Sequence, residues 1–562
     1  MPSPMFNKTR QQVSTLTLSN TGKKIFQAMY FGQSSGESTN DDTAKIRVSE
    51  LMSKMAFYYE QIRNSVDYRE EFVLRKSAIV RILKRLIVIE GGIKGDSEDA
   101  VNLAKTLLIE LIRAGYLPNN TLPETKIAEI ATILNKYIKL RRAVFYYWQQ
   151  NNSDRNKNDG RQEFTNWVIG LAASETEENL NRNKSNDAMV VSMYEVLKKT
   201  VELPPELPYR DDLSIQIYLS IYRNYLKLND EQVLSFVLWG YYWPTWITAD
   251  DALINQIALD IDQVRRAVEF QLEHPLKSQL NKIIYKYTVY YQILQDIIEQ
   301  NPKKVYEEMH RDNRYLNTKI REACSKRYKT VKRKLWGSAV RSIIYIFLTK
   351  SVLAVVLEIP AVKFFGEELN PLTLLINVSA PAVLLFLAVA LTKLPGDNNT
   401  SKIIAGIEEI VFVEKARRNT ILLKNPISKK GVLGLIFTMI YAATFLLTFG
   451  VIIWALNKVQ FSWVSIIIFL FFLVFASFFA IRIKRGARSL VVVEDRETIF
   501  TFLWSFFYMP IISTGKWLSG KFQSINIFVF IFDFIIEAPF KVFVRIAEEW
   551  SKYLNERREN IN

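Results

Sequence analysis

Apolar residues recur along this chain with two different rhythms, and the change falls near Trp336. Before it they return at steps of three and four, the mark of helices with one buried face; beyond it they fuse into uncharged runs. Leu51, Met55, Tyr58, Tyr59, Ile62 and Val66 set one such period, and Phe72, Ile79, Ile82, Leu83 and Leu86 set a second. A third helix is predicted from Ser97 through Ala104, Leu108 and Ile112, closing at Gly115 with Pro118 beyond. Thr121 and Glu124 flank Pro123 as a capping box opening a fourth, which ends near Trp148. After two polar runs around a short apolar island, a second helical block fills 189–317, its period clearest at Ile254, Ile257, Ala258, Ile261, Val264 and Val268. No strand-like alternation of useful length interrupts either block, so the fold class expected is all-α: a cytosolic helical bundle region followed by a polytopic membrane domain.

A helix needs about 20 apolar residues to cross the hydrocarbon layer. Pro371–Leu391, Gly431–Leu456 and Val459–Ile481 meet that length without a charge. Ser342–Val362 has the same apolar density while carrying Lys350 and Glu358, and reads as the first of four spans. The end of the chain admits two readings. Residues 498–515 and 522–540 form either a fifth and sixth crossing or a re-entrant, interfacial pair with Trp504, Tyr508 and Trp517 at headgroup level. Length favours the hairpin.

Cationic residues resist translocation, so their distribution orients the spans. Lys326, Arg327, Lys329, Lys332, Arg333 and Lys334 precede the first span and mark a cytosolic side, where they are also candidates to meet anionic lipid headgroups. Glu367 and Glu368 then fall outside, the 392–430 connection inside, Lys458 outside, and Arg482, Lys484, Arg485 and Arg488 inside. Both termini are expected in the cytosol. The opening twenty residues hold no apolar core of a cleavable signal. The organisation predicted is a mobile segment 1–42, a helical domain 43–150, a linker or long loops 151–188, a second helical block 189–335, four spans in 336–497, and the terminal pair with a tail in 498–562.

Composition narrows the chemistry. One cysteine, Cys324, among 562 residues excludes an internal disulfide, and two histidines leave little for an imidazole and thiolate zinc site. No metal ligand set, cofactor site or catalytic constellation is predicted. HRDNRYLN at 310–317 has the spacing of a kinase catalytic loop, but no phosphate loop, strand lysine or D-F-G accompanies it, and a solvated helix is the better reading. GGIKGD at 91–96 lacks phosphate-loop spacing and reads as a turn. His274 has no metal-ligating neighbour in sequence and reads as a surface or loop imidazole. The formal net charge of +16 raises nucleic acid as a partner, as does the basic helix with Arg75, Lys76, Arg81, Lys84 and Arg85. Residues 1–335 carry 49 basic and 41 acidic side chains, and that +8 is matched by a further +8 in the membrane half. Nucleic acid is therefore disfavoured; membrane lipids and a protein partner, or a second copy of the chain, are the partners expected.

Charges inside a bilayer need compensation, since each costs about 2.5–3.5 kcal/mol near a helix centre. Lys350 lies mid-span, Asp533 lies in the middle of the last apolar stretch with Glu537 one turn on, and Glu358 rides the first span. Lys350 is expected to pair with Asp533 or Glu537. Aromatic clusters at 145–148 and 236–246 read first as core, and the second, with Trp239, Tyr241, Tyr242, Trp243 and Trp246, is the better candidate for a partner surface.

YYEQIRNSVDYREEFVLRKSAIVRILKRL, AGYLPNNTLPETKIAEIATILNKY and GKWLSGKFQSINIFVFIFDFIIEAPFKVF resemble a family of uncharacterised membrane proteins of small-genome bacteria. That resemblance implies no activity, cofactor or site residue. The reading is an inner-membrane scaffold or assembly protein, with a transporter or channel component as the alternative and a lipid-directed enzyme third.

Overall fold

The computed structural model describes residues 17–34, 44–48, 71–89, 97–151, 158–181, 184–228, 231–366, 371–416, 420–425, 432–493 and 508–518, with Phe506, Ile546 and Trp550 as isolated positions. The period set by Leu51 to Val66, the turn at 91–96, Asp533 and Glu537 lie outside them. The chain is all-α, with strand among the described residues only as the two-residue pieces Val201–Glu202 and Ile421–Leu422. It divides into two compact units, 27–285 with 527–562, and 1–26 with 286–526. Helix α1 (Asn20–Ser34) begins in the second of these.

In the unit holding 27–285, one core runs from Ile46 to Ile261. It joins α2 (Glu71–Lys84), α3 (Ser97–Arg113), α4 (Thr125–Gln150), α5 (Asn158–Leu180), α8 (Glu231–Tyr242) and α9 (Asp251–Leu272). Between them come α6 (Lys184–Thr200) and α7 (Arg210–Asn224); Ile215 and Leu219 of α7 meet Leu234, Leu238 and Val268 in a satellite core. Residues 151–188 are thus largely helix rather than the expected linker. The polar run concealed α5 because its polar side chains turn inward: Ser174, Thr176 and Glu177 are buried beside Leu171, Ala172 and Ala173. Arg75 forks onto Glu177, with Nε–Oε2 at 2.7 Å and Nη2–Oε1 at 2.5 Å. Glu175 accepts from Lys136 Nζ at 3.1 Å, Tyr137 OH at 2.6 Å and Trp246 Nε1 at 2.9 Å. Burial outweighs the Arg75 partner and holds the Glu177 carboxyl above its usual range. The capping box at α4 does not form. Glu124 makes no side-chain cap, and its N–H instead donates to Ala44 O at 2.9 Å, bridging to the extended piece 44–48.

Helix α10 (Lys277–Gln300) begins in the unit holding 27–285 and ends in the other, where α11 (Pro302–Arg311) leads to α12 (Asn313–Leu353), a helix of 41 residues. The kinase-like string resolves into local structure there. Asp312 is the N-cap of α12, accepting from Arg314 N at 2.8 Å, and Asn317 Nδ2 donates to Glu408 Oε1 at 3.1 Å. A π turn (Ala354–Glu358) and α13 (Ile359–Phe364) continue α12 without a break. The remaining helices are α14 (Pro371–Ala390), α15 (Asp397–Val411), α16 (Val432–Lys458) and α17 (Trp463–Ala487). Among the described residues, four helical segments are long and apolar enough to cross a membrane: Arg314–Phe364, Thr373–Ala390, Gly434–Lys458 and Trp463–Leu490.

Three of these pack as a bundle. Leu335, Ala339 and Ile346 of α12 meet Leu385 and Val389 of α14 and Phe472, Ala476 and Ala480 of α17, with alanines letting the backbones approach. The 392–430 connection holds α15, which buries Ile403, Ile407 and Ile410. Asn399 fixes it: its Nδ2 donates to Leu490 O at 2.8 Å and Tyr328 OH at 2.9 Å, while its Oδ1 accepts from Val492 N at 2.7 Å. Residues 508–518 are helical and lie on α17, where a Cβ on Gly515 would come within 2.9 Å of Val474 O.

Candidate functional site

A proline has no N–H and its ring crowds the carbonyl four residues back. Pro360 aims that defect at Val356, in the middle of the π turn, and the wider turn is the local answer. The consequence is rotational. An α-helix advances about 100° per residue, so eight α-helical steps would leave Glu358 roughly 80° around from Lys350. The π turn advances less per residue and brings the carboxylate back toward the lysine's face. Pro381, inside α14, denies the Asn377 carbonyl its α-helical donor in the same way.

Four side chains from three of the candidate spans meet here. Lys350 Nζ donates to Asn377 Oδ1 at 2.6 Å. Asn377 Nδ2 donates to Glu358 Oε1, and Ser465 Oγ donates to the same oxygen at 2.6 Å. Ser462, the N-cap of α17, accepts from Ser465 N at 3.1 Å and donates to Ser465 Oγ at 3.2 Å, extending the relay to the helix end. The ammonium also lies over two rings, 5.2 Å from Phe469 and 5.0 Å from Phe472. Lys350 and Asn377 are 0% exposed, Glu358 1% and Ser465 9%. Between the two charges the amide has a determined orientation, oxygen to cation and nitrogen to anion. The cluster is neutral overall, as charges buried among apolar helices require. Glu358 Oε2 makes no hydrogen bond.

Lys350 and Glu358 are therefore brought together, while Asp533 and Glu537, its expected partners, lie outside the described residues. Sequence reasoning missed Asn377 and Ser465. Neither is charged, and the only signal was an asparagine in an otherwise apolar run.

The other expected sites separate. Lys326, Lys329, Lys332, Arg333 and Lys334 are exposed on α12. Arg327 is engaged within the protein: its Nη2 reaches Asp296 Oδ1 at 2.7 Å and Gln292 O at 3.3 Å, tying α12 to α10. Trp239 and Trp246 are core rather than surface, 0% and 2% exposed, their rings 5.1 Å apart edge to face. Tyr242 and Trp243 are half-buried and Tyr241 is exposed. Two cations of the basic stretch pair within the protein, Arg75 of α2 with Glu177 and Arg85, just beyond it, with Glu110. His274 is buried, with Nε2 3.4 Å from Asp212 Oδ2 and Nδ1 accepting from Leu276 N at 3.2 Å. Among the described residues, no group of three or more His, Cys, Asp or Glu could hold a metal ion.

Comparison with protein-family models, with curated proteins and with solved structures found no match to this chain.

Proposed function

We propose that the protein is a multi-pass scaffold of the bacterial inner membrane. It holds its helical region at the cytosolic face, where a protein partner or a second copy docks. The observation that carries this reading is the closure of the Lys350–Asn377–Glu358–Ser465 cluster. A translocation pathway needs polar groups open to a water-filled route, whereas these join three spans and are at most 9% exposed. A cluster of that kind fixes the bundle as an anchor. The cationic excess near α12 and after α17 supports the cytosolic placement of both termini. Exposed Tyr241 and Ile247 offer a docking surface on the helical region.

The alternative, a transport component, has one specific observation in its favour: Glu358 Oε2 is buried without a donor, and an ion or proton could use it. Affinity purification in mild detergent after cross-linking in cells tests the two. A stoichiometric protein lost on Tyr241→Asp and Ile247→Asp supports the scaffold. Solute or proton flux in proteoliposomes, abolished by Glu358→Gln, overturns it.

A further inference from the structure

Six residues of α12 stand at intervals of three, one, three, one and three, and so share one helix face. Lys329, Lys332, Arg333, Trp336, Gly337 and Val340 line an open groove of about 640 Å³. Its lining is apolar almost throughout, the aliphatic stems of the three cations forming one end. The three cations are exposed and sit together at one end. At the other, nothing lies within 4 Å of where a Cβ on Gly337 would stand, and exposed Val340 and Ile344 continue as an apolar track.

Packing sets the depth of this groove. The Trp336 ring lies 6.2 Å from that of Phe386 in α14, and Phe386 comes shortly before the second apolar run ends at Leu391. Trp336 therefore stands at the edge of the hydrocarbon, where indole rings are favoured, and Lys332 and Arg333, one turn earlier, stand at headgroup level. Arg341 agrees with this placement. It lies beyond Trp336, and its Nη2 turns back to Ser338 Oγ at 3.4 Å, the direction in which a cation snorkels to the interface.

We infer that this groove binds one anionic phospholipid. Its phosphate meets Lys329, Lys332 and Arg333, Trp336 floors the glycerol region, and an acyl chain passes over the Gly337 notch onto Val340. Charge complementarity selects the anion, and the apolar end selects a lipid over a phosphate free in water. The inference stands apart from the scaffold reading, needing only that α12 enters a bilayer.

The full-length protein, reconstituted in phosphatidylcholine nanodiscs containing phosphatidylglycerol and released into detergent, tests it by native mass spectrometry. Wild type is expected to retain phosphatidylglycerol in preference to phosphatidylcholine. Lys332→Gln with Arg333→Gln lowers that preference by well over the roughly five-fold per cation that diffuse attraction gives, whereas Lys334→Gln, exposed but off the groove, lowers it by no more than that. Gly337→Leu, which fills the notch without altering charge, lowers retention as well. Equal loss on Lys334→Gln overturns the proposal in favour of diffuse attraction. Unchanged retention in Gly337→Leu, or displacement of the lipid by inorganic phosphate alone, overturns the part played by the acyl chain and with it the site.

Discussion

Ser465 Oγ donates to Glu358 Oε1 at 2.6 Å, so a hydroxyl in the first turn of α17 meets a carboxylate held by the π turn of the first span. With Asn377 on the same oxygen, one acceptor draws donors from two other helices. Ser465→Ala removes a single donor, and polar contacts between spans average about 0.6 kcal/mol, with a ceiling near 1.7. A loss of about 1 kcal/mol in the free energy of unfolding in mixed micelles is expected. An unchanged value would mean that the bond adds nothing to the anchor.

Removing one charge is expected to do more harm than removing both. Lys350→Met leaves the Glu358 carboxylate buried without its counter-ion, a loss of about 3 kcal/mol. Adding Glu358→Met removes the stranded charge and recovers part of the loss. The heat-induced aggregation midpoint in detergent reads both. A double variant worse than the single one would show that the two charges are not coupled through Asn377.

Arg75 and Glu177 pose the same question away from the spans. The Glu177 side chain is 0% exposed and that of Arg75 15%. Arg75→Ala should cost about 3–5 kcal/mol, because it leaves an uncompensated buried carboxylate. Since burial already raises the Glu177 pKa, Glu177→Gln should be much milder. Limited proteolysis within the 27–285 unit ranks the two variants.

His274 makes stability depend on pH with a defined sign. Its ring is buried, Tyr209 and Phe270 stand edge-on at 4.9 and 5.3 Å, and burial holds its pKa below the ordinary value against the opposing pull of Asp212. The unfolded chain takes up a proton below about pH 6.5 while the folded chain does not. Stability is therefore lost as pH falls from about 6.5 and levels off below the folded-state pKa. Protection factors of the α9 amides, taken relative to the intrinsic exchange rate at each pH, should fall on acidification in wild type, and less so in His274→Gln.

Gly406 marks a close approach. A Cβ there would come within 2.3 Å of the Tyr290 ring, so Gly406→Ala should cost about 1–3 kcal/mol unless the ring moves. Gly406→Ala with Tyr290→Leu restores part of the thermal midpoint. Gly170 is a second case: its nearest atoms belong to the Gln232 side chain, whose Oε1 accepts from buried Lys76 Nζ at 2.6 Å, so Gly170→Ala should disturb that bond as well.

What could be read in the sequence follows from how strongly the solvent constrains each element. The four apolar helices were legible because hydrocarbon tolerates little besides apolar side chains over that length. Lys350 and Glu358 stood out for the same reason. Asn377 and Ser465 did not, since a neutral amide or hydroxyl in a span breaks no rule visible in one dimension. Helix α5 escaped because Glu175 and Glu177 face inward to Lys136 and Arg75, inverting the usual relation between polarity and exposure. Trp239 and Trp246, the centre of the expected partner surface, turned inward because an indole buries large area and Glu175 satisfies the Trp246 N–H. Their neighbour Tyr241 stayed outside.

The π turn has a consequence for how the first span tolerates length changes. It holds an additional residue relative to an ordinary helical turn, so the chain can shed one there and tighten toward regular geometry, with the Pro360 ring again set against the Val356 carbonyl. Deleting Val355 should therefore leave a helix that still threads the bilayer. Seven α-helical steps would then separate Lys350 from Glu358 and leave the carboxylate about 20° from the lysine's face, so the seam with α14 and α17 survives the deletion, whereas straightening the turn without shedding a residue would carry Glu358 roughly 80° away and deliver a carboxylate to the acyl chains.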